Sequence, residues 1–244
     1  AISYGLSEGA HVTAENVKIT FPSDNEEGGV TFKLVYSGSS VPVFIPGLYS
    51  RPALLAALAG AAVGFSYDMN ALEVAGALKN FKVPAGRLRF FSGIHNSHIL
   101  DDTYNASPES VVESIETLMS IPRDDYNQSW IVLGDMRELG KDSRQAHEKI
   151  GEFVFEKEIN NLVTVGTHAE AISEAALKSG MSKENVFHFS ASEEAATFLT
   201  ENIRDCDMIV VKGSQAVRLE KIVKALLARP EDASDIVRQG KDWE

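Results

Sequence analysis

One cysteine in 244 residues, Cys206, rules out an internal disulfide and leaves no second thiolate for a zinc site. That usage fits a reducing compartment, and the cytoplasm is the expected location. Basic residues are scarce as well: 23 Lys and Arg stand against 35 Asp and Glu, a net charge of −12. Such a balance argues against nucleic acid as a partner, because affinity for a phosphate backbone comes from neutralising it. The longest apolar run, Pro52 to Phe65, is Gly/Ala-rich and shorter than the ~18 residues of a membrane span. No basic stretch leads into an apolar one at the N-terminus, so no signal peptide is expected. Several catalytic signatures are missing too. Leu139-Gly140-Lys141-Asp142-Ser143 lacks both the preceding glycine and the hydroxyl directly after lysine that a phosphate loop needs. His95 and His98 have no third ligand nearby, so no metal site is expected, and no Gly-x-Ser-x-Gly elbow occurs.

What is present suffices for a packed interior: 44% of the residues are hydrophobic and 24% charged. Two textures divide the chain, and the expected domains are residues 1–125 and 126–244. The first begins with alternating runs at Val17 to Phe21, Val30 to Tyr36 and Val41 to Ile45, separated by the turn-forming Asn25-Glu26-Glu27-Gly28-Gly29 and Ser37-Gly38-Ser39-Ser40. This predicts an antiparallel meander with Pro42 on an edge strand. Helices are expected from Arg51 to Val63, with Gly64 as the stop, and from Asn70 to Phe81. Strands follow at Arg87 to Ser92 and His98 to Asp102, then a helix capped by Ser107. After Gln128, apolar runs at Trp130 to Leu133, Leu162 to Val165, Val186 to Phe189 and Met208 to Val211 each lead into a helical stretch. That alternation predicts a doubly wound α/β domain on a parallel sheet, with ligands gathered beyond the carboxyl ends of the strands, at Asp135, Thr167, Ser190 and Lys212.

Four places could carry chemistry. Asp101-Asp102-Thr103-Tyr104-Asn105-Ala106-Ser107-Pro108 puts paired acids at a strand end, where their repulsion calls for a cation or a hydroxyl-rich ligand. A solvated loop of Asx turns accounts for it equally well. Leu133-Gly134-Asp135-Met136-Arg137-Glu138-Leu139-Gly140 empties a strand into acids and glycines. Val211-Lys212-Gly213-Ser214 offers a lysine and a helix start to an anion, or is an ordinary cap. His147 stands four residues after Ser143 and is a ligand only in company.

In this order the four segments resemble the Mur ligase family, and within it the branch that adds a D-alanyl-D-alanine dipeptide. The resemblance covers nearly the whole chain: a partial central ATPase-type domain of antiparallel strands and helices, then a Rossmann-like C-terminal domain. It implies an ATP-dependent amide ligase of peptidoglycan precursor synthesis, a monomer acting on a UDP-MurNAc-tripeptide and D-Ala-D-Ala through an acyl phosphate. ATP and Mg2+ are the implied cofactors. The phosphate loop, magnesium ligands and carbamylated lysine of such an enzyme precede the region matched here, so this chain by itself is expected not to turn over. By resemblance, Arg87 would reach the ATP phosphates, Asp102 the ribose hydroxyls, and Tyr104 and Asn105 would shape that pocket. Asp135, Glu138, Ser143, His147, Lys212 and Ser214 would face the cleft and place the substrates; no catalytic residue is singled out. Where the family has Gly-x-His-Asn-x-x-Asn, this chain reads Gly47-Leu48-Tyr49-Ser50-Arg51-Pro52-Ala53. Either Tyr49 stacks on the base in place of the lost amides, or nucleotide binding is lost. Two other readings stand beside this one: a phospho-acceptor receiver modified on Asp135, and a family member acting on another amino acid or on folate.

Overall fold

The structure, a computed structural model, describes residues 1–22 and 27–238. The chain forms two compact units, Ala1–Val83 and Pro84–Glu244. The division falls about forty residues before the expected boundary at 125/126, for a reason that lies in the second sheet.

In the first unit, β1 (Tyr4–Gly5), β2 (Val12–Thr20), β3 (Gly29–Tyr36) and β4 (Ser39–Pro46) form one sheet in that order. β2 to β4 are the expected antiparallel meander, with Pro42 on the edge strand; Asn25 and Glu26 of its first turn lie outside the described residues. β2 is longer than its alternation suggested. A bulge between Glu15 and Lys18, with Asn16 at φ 53°, breaks the period-two pattern and turns Val17 to solvent. Phe32, Leu34, Val43 and Ile45 bury one face against α1 (Arg51–Ser66) and α2 (Ala71–Leu78). Ser50 caps α1 by accepting from Ala53 N at 3.2 Å, and Asn70 and Glu73 close a capping box on α2. Gly64 does not end α1. The helix runs through it, and a side chain there would meet Val74 Cγ2 at 3.1 Å and Met69 Sδ at 3.2 Å, so this glycine serves packing.

The second unit holds β5 (Arg89–Ser92), β6 (His98–Asp102), β7 (Ser129–Gly134), β8 (Asn161–Val165), β9 (Val186–Phe189) and β10 (Met208–Lys212). Their order in the sheet is β5-β6-β10-β7-β8-β9, parallel except for β5. β6 therefore belongs with the later strands: the last strand of the chain pairs with it, Met208 to His98 through Lys212 to Asp102, and on its other side with β7. The hairpin of β5 and β6 reads locally as the end of the first texture, but its hydrogen bonds commit it to the second sheet. Strands with both faces buried explain the near-continuous apolar runs. Trp130, Val132, Val163, Ile209 and Val211 pack under α6 (Ser192–Asn202) and α7 (Glu220–Leu226). α3 (Pro108–Met119), α4 (Ser143–Glu156) and α5 (Glu170–Ser179) form another run of neighbours, α4 touching both of the others. At Gly151 a Cβ would lie 2.2 Å from Ile172 O, so only glycine lets α4 and α5 approach this closely. No described helix is long and apolar enough to cross a membrane.

Candidate functional site

β10 enters the sheet between β6 and β7, so the direction of winding reverses there, and the carboxyl ends of all three strands lie side by side. Lys212 is in register with Asp102 on one side and Leu133 on the other. This is the crevice where open α/β sheets collect ligands. Ser114 from α3 and Lys212 both serve Asp102 here: Lys212 Nζ is 2.5 Å from Asp102 Oδ2, Ser114 Oγ donates to the same oxygen at 2.6 Å, and Lys212 also donates to Asn105 O at 3.0 Å. Both hydrogen bonds that Asp102 accepts among the described residues go to Oδ2, so Oδ1 keeps its accepting capacity. The lysine is only 2% exposed, so this is a buried, hydrogen-bonded ion pair.

The neighbouring Asp101 is completely buried. Its Oδ1 accepts from Thr103 N at 3.1 Å and Thr103 Oγ1 at 2.6 Å, and Oδ2 has no partner among the described residues. Burial pushes its carboxyl up to about 6 despite the two Thr103 bonds, which pull it down. Sequence pairing had suggested two acids sharing one ligand; instead each has its own protein partners.

The loops after β7 and β10 are sewn together. Ser214 N donates to Asp135 O at 3.0 Å, and Ser214 Oγ accepts from Arg137 N at 2.9 Å. Gly134 and Gly213 face each other so closely that a Cβ on Gly213 would lie 3.1 Å from Gly134 Cα. Asp135 turns away from the crevice: its Oδ1 accepts from His168 N and Ala169 N, each at 2.8 Å, and satisfies the start of α5. Gly166 makes room for it, since a side chain there would collide with the carboxylate at 2.6 Å. A carboxylate only 3% exposed, one of whose oxygens is committed to two amides, is poorly placed to accept a phosphoryl group. His147, fully buried, accepts from Met136 N at 3.0 Å through Nε2 and lies 2.7 Å from Ser143 O through Nδ1. The carbonyl can only accept, so Nδ1 carries the proton and the ring is neutral, and burial lowers its basicity further. Asp135, His147, Lys212 and Ser214, which were expected to face a cleft, are all buried, and each makes hydrogen bonds within the chain.

What reaches solvent is the rim. Arg87, Tyr104, Asn105 and Glu138 are exposed and Ser143 is half-buried. The Arg87 guanidinium lies 4.2 Å from the centre of the Tyr104 ring, which is 46% exposed. Glu138 holds φ 67°, a left-handed turn that lifts it off the β7 end. A groove of about 240 Å³ opens beyond β8, lined by Arg144, Thr167, His168, Glu170, Ala171 and Glu174. Among the described residues no group of three or more His, Cys, Asp or Glu could hold a metal ion.

Tyr49, in the first unit, is not available to a base. It is 3% exposed, its ring stacks on Phe21 at 5.1 Å, and burial raises its phenol far above the usual range. Sequence reasoning also missed Ser114, Gly166, Glu220 and Arg238, whose roles depend on contacts distant along the chain.

Comparison with known proteins gives this geometry a context. Residues 86–215 match the family described as Mur ligase, glutamate ligase domain. The chain is 32% identical over 216 residues to the UDP-N-acetylmuramoyl-tripeptide–D-alanyl-D-alanine ligase of Escherichia coli, covering 88% of this chain and 44% of that one. For the enzyme of the same name from Bacillus subtilis the identity is 30% over 208 residues, covering 85% and 44%. The crystal structure of the MurF ligase from Thermotoga maritima in complex with ADP has a TM-score of 0.73 and 25% identity, covering 94% of this chain and 48% of that one. The chain thus spans less than half the length of these relatives.

Proposed function

The chain belongs to the Mur ligase family, and from that premise we propose that it supplies the ribose-facing and acceptor-facing half of a ligase adding D-alanyl-D-alanine to a UDP-N-acetylmuramoyl-tripeptide. ATP would pass its γ-phosphoryl group to the tripeptide carboxylate, giving an acyl phosphate and ADP. The dipeptide amine would then attack the acyl carbon, and inorganic phosphate would leave as the amide forms and the amine loses its proton. Phosphoryl transfer asks the protein chiefly for positioning and charge neutralisation. In this reading the phosphate loop and the magnesium ligands belong to the other half of the ligase.

The observation that carries the reading is the β6 end. Asp102 has one oxygen locked by Lys212 and Ser114 and the other still able to accept, directly before the exposed Tyr104 and Asn105 and the Arg87 stacked on that tyrosine. A fixed carboxylate beside an exposed aromatic suits a ribose hydroxyl pair and a base, and Arg87 is free to swing toward phosphate. Lys212, Ser214, Asp135 and His147 set the shape of this corner from behind. Glu138, Ser143 and the groove beside α5, where Arg144 is paired with Glu148 and Glu174 and Glu170 stands nearby, are the places where a small zwitterion would meet charges of both signs.

The test joins this chain to the half that its relatives carry and measures phosphate release from ATP with the tripeptide substrate, with and without D-Ala-D-Ala. Release that needs both substrates supports the reading. No release with any combination, together with no binding of ADP, refutes it. In the same protein, Tyr104→Ala should weaken ADP about tenfold while leaving the fold intact, since the side chain is exposed.

A further inference from the structure

The geometry points to Arg238 as a positioning residue: anchored on Glu220, it holds the Thr103–Tyr104 backbone so that Tyr104 and Asn105 present a fixed face to the nucleotide. The inference rests on the reading above that this face meets a nucleotide. Its evidence is independent of the motifs that suggested that reading, because Arg238 lies well beyond them in the chain.

Arg238 donates through Nη2 to Thr103 O and to Glu220 Oε2 at 3.0 Å, and through Nη1 to Tyr104 O at 3.4 Å. Its side chain is 5% exposed and that of Glu220 is 2% exposed. Glu220 Oε1 in turn accepts from Arg218 Nε at 2.5 Å, so both oxygens of the carboxylate are engaged. A planar fork of donors can span two consecutive carbonyls while keeping its carboxylate, whereas an ammonium group directs its three donors from a single point and holds no fixed orientation. The same terminal segment reaches the loop from its other side. Val237 Cγ1 lies 2.8 Å from where a Cβ on Gly86 would stand, and Gly86 O accepts from Tyr104 N at 3.1 Å.

Two more of the loop's backbone groups are held: Thr103 N by Asp101, Asn105 O by Lys212. Arg238 supplies the hold on the two carbonyls between them. A buried ion pair adds little net stability compared with a well-packed apolar substitute, because desolvation offsets the attraction. What the pair provides here is geometry at a loop whose side chains face solvent. Pre-ordering such a loop lowers the entropy lost when ligand arrives.

The experiment titrates ADP into the unaltered protein and into Arg238→Gln, Arg238→Lys, Glu220→Gln and Arg229→Gln. Amide exchange at Thr103, Tyr104 and Asn105 and a melting curve are recorded for each. Arg229 pairs with Asp232 at the surface and serves as the control. Arg238→Gln and Glu220→Gln are expected to weaken ADP about tenfold and to speed exchange at the three amides. Arg238→Lys, which keeps the charge but not the fork, is expected to recover little of that loss, and the control to change neither readout. Unchanged ADP affinity and exchange in Arg238→Gln overturn the inference. So does weaker ADP with unchanged exchange, which would mean a charge acting at a distance. If Arg238→Gln and Glu220→Gln fail to fold, Arg238→Lys decides: it keeps the charge but not the fork, and must still speed exchange. Failure of the unaltered protein to bind ADP defeats the parent reading, whereas normal binding indifferent to residue 238 defeats only this one.

Discussion

Replacing Lys212 by methionine should destabilise the second unit by about 3–5 kcal/mol, the usual cost of stranding one member of a buried ion pair. Methionine fills most of the volume of the lysine stem, so a cavity contributes little. What disappears is the 2.5 Å bond to Asp102 and the 3.0 Å bond to Asn105 O. What remains is a carboxylate, 9% exposed in its side chain, with Ser114 as its one hydrogen-bonding partner among the described residues. The double variant Lys212→Met with Asp102→Asn removes the stranded charge as well and should recover most of the loss, leaving about 1–2 kcal/mol for the missing hydrogen bonds. Urea unfolding followed by tryptophan emission is the assay. Trp130, buried in the core of the second unit, supplies the signal. A loss below about 1 kcal/mol in the single variant, or a double variant no more stable than the single, would show that the pair does not hold this corner.

Two further predictions concern acid behaviour. Asp101 is bound more tightly by its proton in the fold than in the open chain, so it favours the fold below pH 3.8, and about 3 kcal/mol of that preference is lost as pH rises to about 6. Asp101→Asn should abolish this slope in stability measured across pH 3.5 to 7, and a wild-type curve lacking it would refute the assignment. His147 acts in the opposite sense: burial lowers its affinity for a proton, so stability falls as pH drops below its ordinary value of 6.5. His147→Phe should remove that fall and cost about 1–3 kcal/mol at neutral pH, because Met136 N and Ser143 O lose their partner. Neutral-pH stability equal to wild type would show that the ring does no structural work.

Much of the second unit could be read along the chain because its strands are apolar runs that stop at a polar residue. Lys212 ends β10, Asp135 follows β7, and Ser190 follows β9, as the run lengths implied. Caps were equally legible, since Ser107 before Pro108 is a local signal. The unit boundary was not, because β6 owes its place to a strand 110 residues later, and no local pattern encodes that partner. For the same reason the sequence named Asp102 and Lys212 as site residues but gave no sign that they neutralise each other. His147 and Asp135 were found as polar residues near strand ends; their burial, and hence their work as supports, depends on the packing of α4 and the start of α5. Tyr49 shows the limit of reading an aromatic as a stacking surface: its ring is already stacked, against Phe21.

The sheet order has a consequence for synthesis. Since β10 fills the gap between β6 and β7, a nascent chain that has emerged only as far as α6 holds two incomplete half-sheets, each with a bare apolar edge strand and no common neighbour. Local pairing can form β5 with β6 and β7 with β8 as they leave the ribosome, but the unit closes only when the final strand slides into the middle. Until then, the exposed edges of β6 and β7 are the surfaces most open to chaperones and to self-association.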